Sequence, residues 1–191
     1  MAFLFISRNN VHARYYKKLT RKLPLKSKVH CMGLPRFTAL KYFSKAKKVD
    51  FNKIIAEQLL RKQARNKLWK NPLIIKSYSA LMYLVERCRF AKYYDLLQSE
   101  SPQALVIWNG NKLPNVTVCM AAKALGVTTY FYENGLLPGT TSLDPKGINF
   151  AASVPRDSQF YLNFDPQGKL PFSAPDLIPR ANHKKRCKFD A

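Results

Sequence analysis

The chain has 191 residues, 47% of them hydrophobic and 13% aromatic, which is enough for one domain with a buried core and argues against disorder. Its net charge of +22 lies mainly in residues 1–98, which hold 23 Lys/Arg and 4 Asp/Glu, whereas residues 99–191 hold 10 and 7. Such a field attracts phosphate groups but does not distinguish nucleic acid from an anionic membrane surface or a merely solvated basic face.

The first predicted unit is a strand, a helix and a second strand. Residues 3–6 form a short apolar run that predicts a buried strand, and apolar residues at helical spacing predict a helix over residues 11–23. Residues 28–32 predict the second strand, and Gly33-Leu34-Pro35 its exit turn.

A basic helical segment is predicted over residues 36–98. One helix is expected over residues 51–68, capped by Asp50. A longer helix is expected over residues 73–98 and ends before Pro102. The apolar residues expected on the buried side of the first helix are Ile54, Ile55, Leu59 and Leu60.

Residues 104–132 have the pattern of a βαβ crossover. The continuous apolar run at residues 104–108 is typical of a strand buried on both faces. A helix over residues 116–125, stopped by Gly126, and a strand over residues 127–132 complete the unit. The fold class is therefore predicted as α/β, a Rossmann-like open and mainly parallel sheet with flanking helices.

Residues beyond Leu136 have a different character. Pro, Gly, Ser, Thr and Asp dominate as far as Asp157, which predicts a long ordered loop rather than a regular element. Residues 164–191 are expected to be a Pro-rich basic tail or linker after a domain at residues 1–163.

Three polar loops follow apolar strands, at Ser7–Asn10, Asn109–Lys112 and Glu133–Pro138. Ligands of open α/β sheets bind at the carboxyl ends of the strands, so these loops are expected to line one crevice. Arg8 and Asn9 are the candidate binding residues of the first loop.

Glu133 is the candidate with the clearest chemical role, because a carboxylate at the end of an apolar strand is partly desolvated. It suits a base or an acceptor of sugar hydroxyl groups, or it orders the next loop by accepting backbone N–H groups. Asn134 follows it, and Gly135 is expected to supply a positive φ for the turn.

The roles of the other polar residues stay open at this point. Asn109-Gly110 is either a tight turn or part of the site, and Arg156 either pairs with Asp157 or contacts a phosphate. No histidine has a partner that indicates catalysis. The chain lacks a Walker A pattern, a GxGxxG pattern and a Ser or Cys nucleophile motif, so no cofactor is predicted.

The four cysteines are widely spaced and show no CxxC pair, so no metal site is predicted. The apolar start at residues 3–6 is too short for a signal peptide, and no apolar run reaches the ~20 residues of a membrane span. A cytoplasmic protein with reduced thiols is expected.

Five segments in the second half of the chain occur in a characteristic order. They are Val106-Ile107-Trp108-Asn109-Gly110, Ala121-Ala122-Lys123-Ala124-Leu125-Gly126, Tyr132-Glu133-Asn134-Gly135-Leu136-Leu137-Pro138, Thr140-Thr141-Ser142-Leu143-Asp144-Pro145-Lys146-Gly147-Ile148-Asn149 and Ser153-Val154-Pro155-Arg156-Asp157. In this order they resemble the bacterial capsule polysaccharide synthesis family, the capsule β-Kdo glycosyltransferases, and the resemblance is close over residues 104–161.

The resemblance implies a cytoplasmic glycosyltransferase, peripheral to the inner membrane, that transfers Kdo from CMP-Kdo to a lipid-linked acceptor. It implies a GT-B-like arrangement of two Rossmann-like halves with the active site between them. An anionic phospholipid acceptor or bilayer would then be the partner of the basic half. The binding residues that follow are Arg8, Asn9, Asn109, Glu133, Asn134, Gly135 and Arg156.

This chain departs from the family at two places. Leu137 stands where many relatives carry Arg, and the His-Pro motif and acidic residue of the family's second half are not found before Ala191. The chain is therefore expected to be one half of such an enzyme, without the catalytic group proper. The alternatives are a basic nucleic-acid-binding module and a non-catalytic capsule-export partner, which would bind capsule assembly proteins.

Overall fold

A five-stranded sheet forms the centre of the fold in the computed structural model, which describes residues 2–33, 41–135, 140–148 and 151–163. The strands are β1 (Phe3–Ser7), β2 (Ser27–Cys31), β3 (Ala104–Trp108), β4 (Thr128–Asn134) and β5 (Thr141–Asp144). Their order is β2-β1-β3-β4-β5. The pairs β2–β1, β1–β3 and β3–β4 are parallel, and β5 pairs antiparallel with β4. The α/β class and the mainly parallel sheet are confirmed.

Helices connect the parallel strands, because a parallel connection must run back across the sheet. The helices are α1 (Asn10–Thr20), α2 (Phe51–Gln63), α3 (Pro72–Glu100), α4 (Asn115–Ala124) and α5 (Ser158–Leu162), with 3-10 turns at Lys45–Lys48 and Lys67–Lys70. None of the helices in the described ranges has an apolar stretch long enough to cross a membrane.

The two faces of the sheet are covered unequally. Alternate residues Leu4, Ile6, Leu105 and Ile107 point to one face and are fully buried with residues of α2, α3 and α4. The opposite face carries Phe5, Val106 and Tyr132, and its helical partner is Tyr16 of α1. The continuous apolar runs of β1 and β3 therefore reflect burial on both faces.

Two helices begin or end at the residues predicted for them. Asp50 caps α2, since its side chain accepts a hydrogen bond from the Lys53 N–H at 3.1 Å. Gly126 ends α4 with φ +70°, as expected of a glycine after a helix. The prediction for Leu60 was wrong: it is 65% exposed, because it lies about 100° around the helix from buried Leu59.

The predicted long loop after residue 136 is partly a strand. β5 pairs with β4 from Phe131↔Asp144 to Asn134↔Thr141, so the prediction of a loop without regular elements was wrong. This pairing also extends β4 past its predicted end at Tyr132, because antiparallel partners satisfy the backbone groups of Glu133 and Asn134. Residues 34–40, 136–139, 149–150 and the predicted tail 164–191 lie outside the described residues.

Candidate functional site

The three predicted polar loops begin along one edge of the sheet. β1 leads to β2 on one side, and β3 leads to β4 on the other side. The order in which strands are added to the sheet therefore reverses between β1 and β3, which is the usual ligand position in such sheets. The His12 ring stacks on Trp108 with centroids 4.2 Å apart, and the Asn109 N–H donates to the Tyr132 carbonyl at 3.0 Å. The first turn of α1 and the ends of β3 and β4 are therefore in direct contact.

Four of the predicted site residues lie together around a cavity of about 420 Å³, which we call the β4–β5 cavity. They are Glu133, Asn134, Gly135 and Arg156. The same cavity is lined by Asp144, Gly147, Ile148, Val154 and Pro155. Segments separated in sequence by up to 23 positions thus meet at one concave surface.

Glu133 lies inside β4, opposite Ser142, rather than in a loop after the strand. Its side chain is half-buried and accepts no hydrogen bond from residues in the described part of the chain. The next loop contains residues 136–139, which lie outside the described residues, so the interpretation that Glu133 orders this loop through backbone N–H groups stays a prediction. Glu133 is one of the residues that line the β4–β5 cavity.

Asp144 is the carboxylate that orders this loop, a role that sequence reasoning did not assign to it. One oxygen accepts the N–H groups of Lys146 and Gly147 at 2.7 and 3.1 Å. The other accepts the N–H and hydroxyl of Ser153 at 2.8 and 2.5 Å. The Ser153 hydroxyl and these N–H groups lower the pKa of Asp144 to about 2. The spacing Asp-x-x-Gly, typical of an Asx-type turn, was the available signal.

Gly135 does not have the positive φ that was predicted for it. Its N–H instead donates to the Thr140 carbonyl at 2.9 Å, and a Cβ atom at Gly135 would overlap the Thr140 side chain. The glycine is therefore needed because two chain segments approach closely where β4 and β5 are joined.

The Asn109-Gly110 segment is a tight turn held by Asn115. Asn109 has φ +52°, and a Cβ atom at Gly110 would overlap the Phe131 ring. The buried Asn115 amide donates to the carbonyls of Trp108 and Asn109 at 2.5 and 2.8 Å. The Asn109 side chain accepts the N–H of Asn111 at 3.3 Å, so its observed contact is structural.

Asn9 and Arg8 lie away from the β4–β5 cavity. The Asn9 side chain accepts the N–H of His12 at 2.8 Å and thereby caps α1. Arg8 is exposed and lines a second cavity of about 330 Å³ together with Lys112 and Glu86, which we call the β1–β3 cavity. The residues predicted to line one crevice are therefore divided between two cavities, a helix cap and a turn.

A chain of hydroxyl groups, which sequence reasoning missed, joins α1 to β4 and β5. The Tyr15 and Tyr132 hydroxyls lie 2.8 Å apart, and the Tyr132 hydroxyl lies 2.8 Å from Thr141 Oγ1. Burial raises the pKa of Tyr132 to about 12 and raises the pKa of Tyr16 further. The Tyr132 phenol therefore stays protonated at neutral pH and acts as a hydrogen-bond partner rather than as a base.

An Asp144→Ala change is expected to open the loop between β5 and α5, because four hydrogen bonds lose their acceptor. Trypsin should then cleave after Lys146 several-fold faster than in the unaltered protein, as peptide mapping would show. The lowered pKa means that Asp144 stabilises the loop above pH 3.8 and loses this effect as the pH falls through about 2.

Asp157→Ala is the control for this experiment, since the Asp157 carboxylate accepts the N–H of Gln159, two residues away, at 2.9 Å. If trypsin cleaves after Lys146 in the Asp144→Ala protein no faster than in the unaltered protein, other contacts hold the loop.

Comparison with known proteins gives limited similarity. The chain is similar to Protein FixF of Sinorhizobium fredii (strain NBRC 101917 / NGR234), with 34% identity over 122 residues. The matched region makes up 60% of this chain and 29% of that protein, so the chain spans well under half of its relative. No protein-family model matches the chain, and no solved structure matches it.

Proposed function

We propose that the chain supplies a Rossmann-like domain of a GT-B-like glycosyltransferase of capsular polysaccharide biosynthesis, which transfers Kdo or a related sugar from a CMP-activated donor to a lipid-linked acceptor. The observation that supports this proposal best is the composition of the β4–β5 cavity. Glu133-Asn134-Gly135, the Asp144-x-x-Gly147-Ile148 segment and Val154-Pro155-Arg156, which carry the resemblance to capsule transferases, line this one cavity.

The chemistry of the cavity suits an anionic sugar substrate. Arg156 supplies a cation for the phosphate or carboxylate of the donor or acceptor, and a guanidinium matches both groups in shape. Glu133 accepts hydrogen bonds from acceptor hydroxyl groups and is placed to take a proton from one of them. Asp144 is saturated with hydrogen bonds, so its role is to hold the wall of the cavity.

A surface on α3 supports the proposed association with the inner membrane. Leu73, Ile74, Leu81 and Leu84 are 75%, 39%, 61% and 52% exposed, and their spacing places them within about 100° of the helix circumference. The apolar stripe adjoins the basic half of the chain, a combination that favours an anionic lipid surface at the membrane–water boundary.

The test is a transfer assay with CMP-Kdo and a lipid-linked Kdo acceptor carried in phosphatidylglycerol vesicles. The full chain is used alone and together with the product of the reading frame directly downstream. We expect product in at least one arrangement, and co-sedimentation of the chain with the vesicles. Glu133→Gln should lower the transfer rate by about 10²-fold, the loss typical of removing a general base.

Glu57→Gln on the exposed side of α2 is the matched control and should leave the rate unchanged. A folded protein that gives no product in either arrangement would exclude the transferase function. Salt-dependent binding of generic RNA, equal in the Glu133→Gln protein, would then favour the nucleic-acid alternative. Association with capsule assembly proteins without transfer would favour the non-catalytic alternative.

A further inference from the structure

The β1–β3 cavity lies at the position where the strand order reverses. Arg8 follows β1 and Lys112 follows β3, so both belong to loops at the carboxyl ends of the two central strands. Lys62 of α2 and Tyr78 and Glu86 of α3 also line the cavity. Four separate parts of the chain therefore converge on a concave surface where α/β sheets bind ligands.

The charges around this cavity are unbalanced. Its lining contains four cations, Arg8, Lys62, Arg89 and Lys112, and one carboxylate, Glu86. Glu86 is fully buried and uses both oxygens internally, one for the Arg89 guanidinium and the other for the Thr117 hydroxyl at 2.5 Å. Among the described residues, no carboxylate lies within 4.0 Å of the charged groups of Arg8, Lys62 or Lys112.

Two aromatic rings, one of which lines the cavity, contact one of these cations. The Lys62 ammonium lies 4.0 Å from the Trp69 ring centroid and 4.7 Å from that of Tyr78. Such contacts orient the ammonium without neutralising it. A lysine on a merely solvated face has no comparable restraint, so this arrangement favours a site that is organised before a ligand arrives.

We infer that the β1–β3 cavity binds a phosphate group. Three cations without a carboxylate partner match a phosphate monoester, which carries up to two negative charges, better than a single carboxylate. The volume of about 330 Å³ accommodates one phosphate with a small attached group. Nucleic acid is a weaker fit, because a phosphate backbone requires a long basic groove rather than one small group of cations.

Calorimetric titration of the full chain with inorganic phosphate at low salt tests the inference. We expect saturable binding of one phosphate, weakened about tenfold or more in an Arg8→Gln/Lys112→Gln variant, because each contact is charge-assisted. Both residues are exposed, so the variant should fold. A Lys53→Gln/Arg65→Gln variant removes the same charge outside the cavity and should bind phosphate normally.

Two further titrants identify the source of the phosphate. Glycerol 3-phosphate that binds while phosphatidylglycerol vesicles do not would assign a soluble phosphorylated ligand. Vesicle binding that inorganic phosphate displaces would assign a lipid headgroup. The inference would be overturned if phosphate did not bind saturably, or if both double variants weakened phosphate binding equally. It would also be overturned by RNA binding that the Arg8→Gln/Lys112→Gln variant does not change. These outcomes do not depend on the transfer assay, since no donor sugar is present.

Discussion

Glu86→Ala is expected to lower the free energy of unfolding by about 3–5 kcal/mol, because it leaves one member of a buried ion pair without its partner. Glu86 is fully buried in α3, and its neighbour Arg89 has a side chain only 17% exposed. The change also removes the acceptor of the buried Thr117 hydroxyl and so weakens the contact between α3 and α4. Urea unfolding followed by circular dichroism measures the loss.

Asp95→Ala is the matched control for this prediction. Asp95 lies in the same helix and pairs with Lys41, but its side chain is 46% exposed, so its removal should change stability by less than about 1 kcal/mol. A Glu86→Leu/Arg89→Leu protein should recover much of the stability, because no unpaired charge remains buried. If it is as unstable as Glu86→Ala, packing rather than the unpaired charge causes the loss.

Asn115→Ala is expected to lower the free energy of unfolding by about 2–3 kcal/mol, since the carbonyls of Trp108 and Asn109 both lose their donor. The turn between β3 and α4 also loses the contacts that hold Asn109 at a positive φ. Because this turn leads from Trp108 towards Lys112, we expect weaker phosphate binding as well as lower stability.

Asn111→Ala provides the comparison, because Asn111 takes part in observed hydrogen bonds only through its backbone atoms. The free energy of unfolding of the Asn111→Ala protein should stay within about 0.5 kcal/mol of that of the unaltered protein. Unfolding curves that coincide for the two variants would show that the Asn115 amide contributes nothing to the turn. Titration with inorganic phosphate then checks the second part of the prediction.

The candidate site was predictable only in part. The segment Glu133-Asn134-Gly135 and Arg156 were singled out, and they do lie around one cavity. Arg8 lies in the other cavity, and Asn9 and Asn109 make local structural hydrogen bonds. Side chains of similar polarity after similar strands give the same sequence pattern whether they face a cavity or a neighbouring N–H group.

The amino-acid sequence by itself determined the parallel core of the sheet, the helices between its strands and the caps at Asp50 and Gly126. These features depend on hydrophobic periodicity and on contacts within a few residues, both of which can be read along the chain. Only the tertiary structure decided the rest. β5 extends β4 by pairing, Glu86 meets Thr117 31 positions away, and Tyr15 meets Tyr132 117 positions away. No local pattern encodes these contacts, because they arise when packing brings distant polar groups together in a space from which water is excluded.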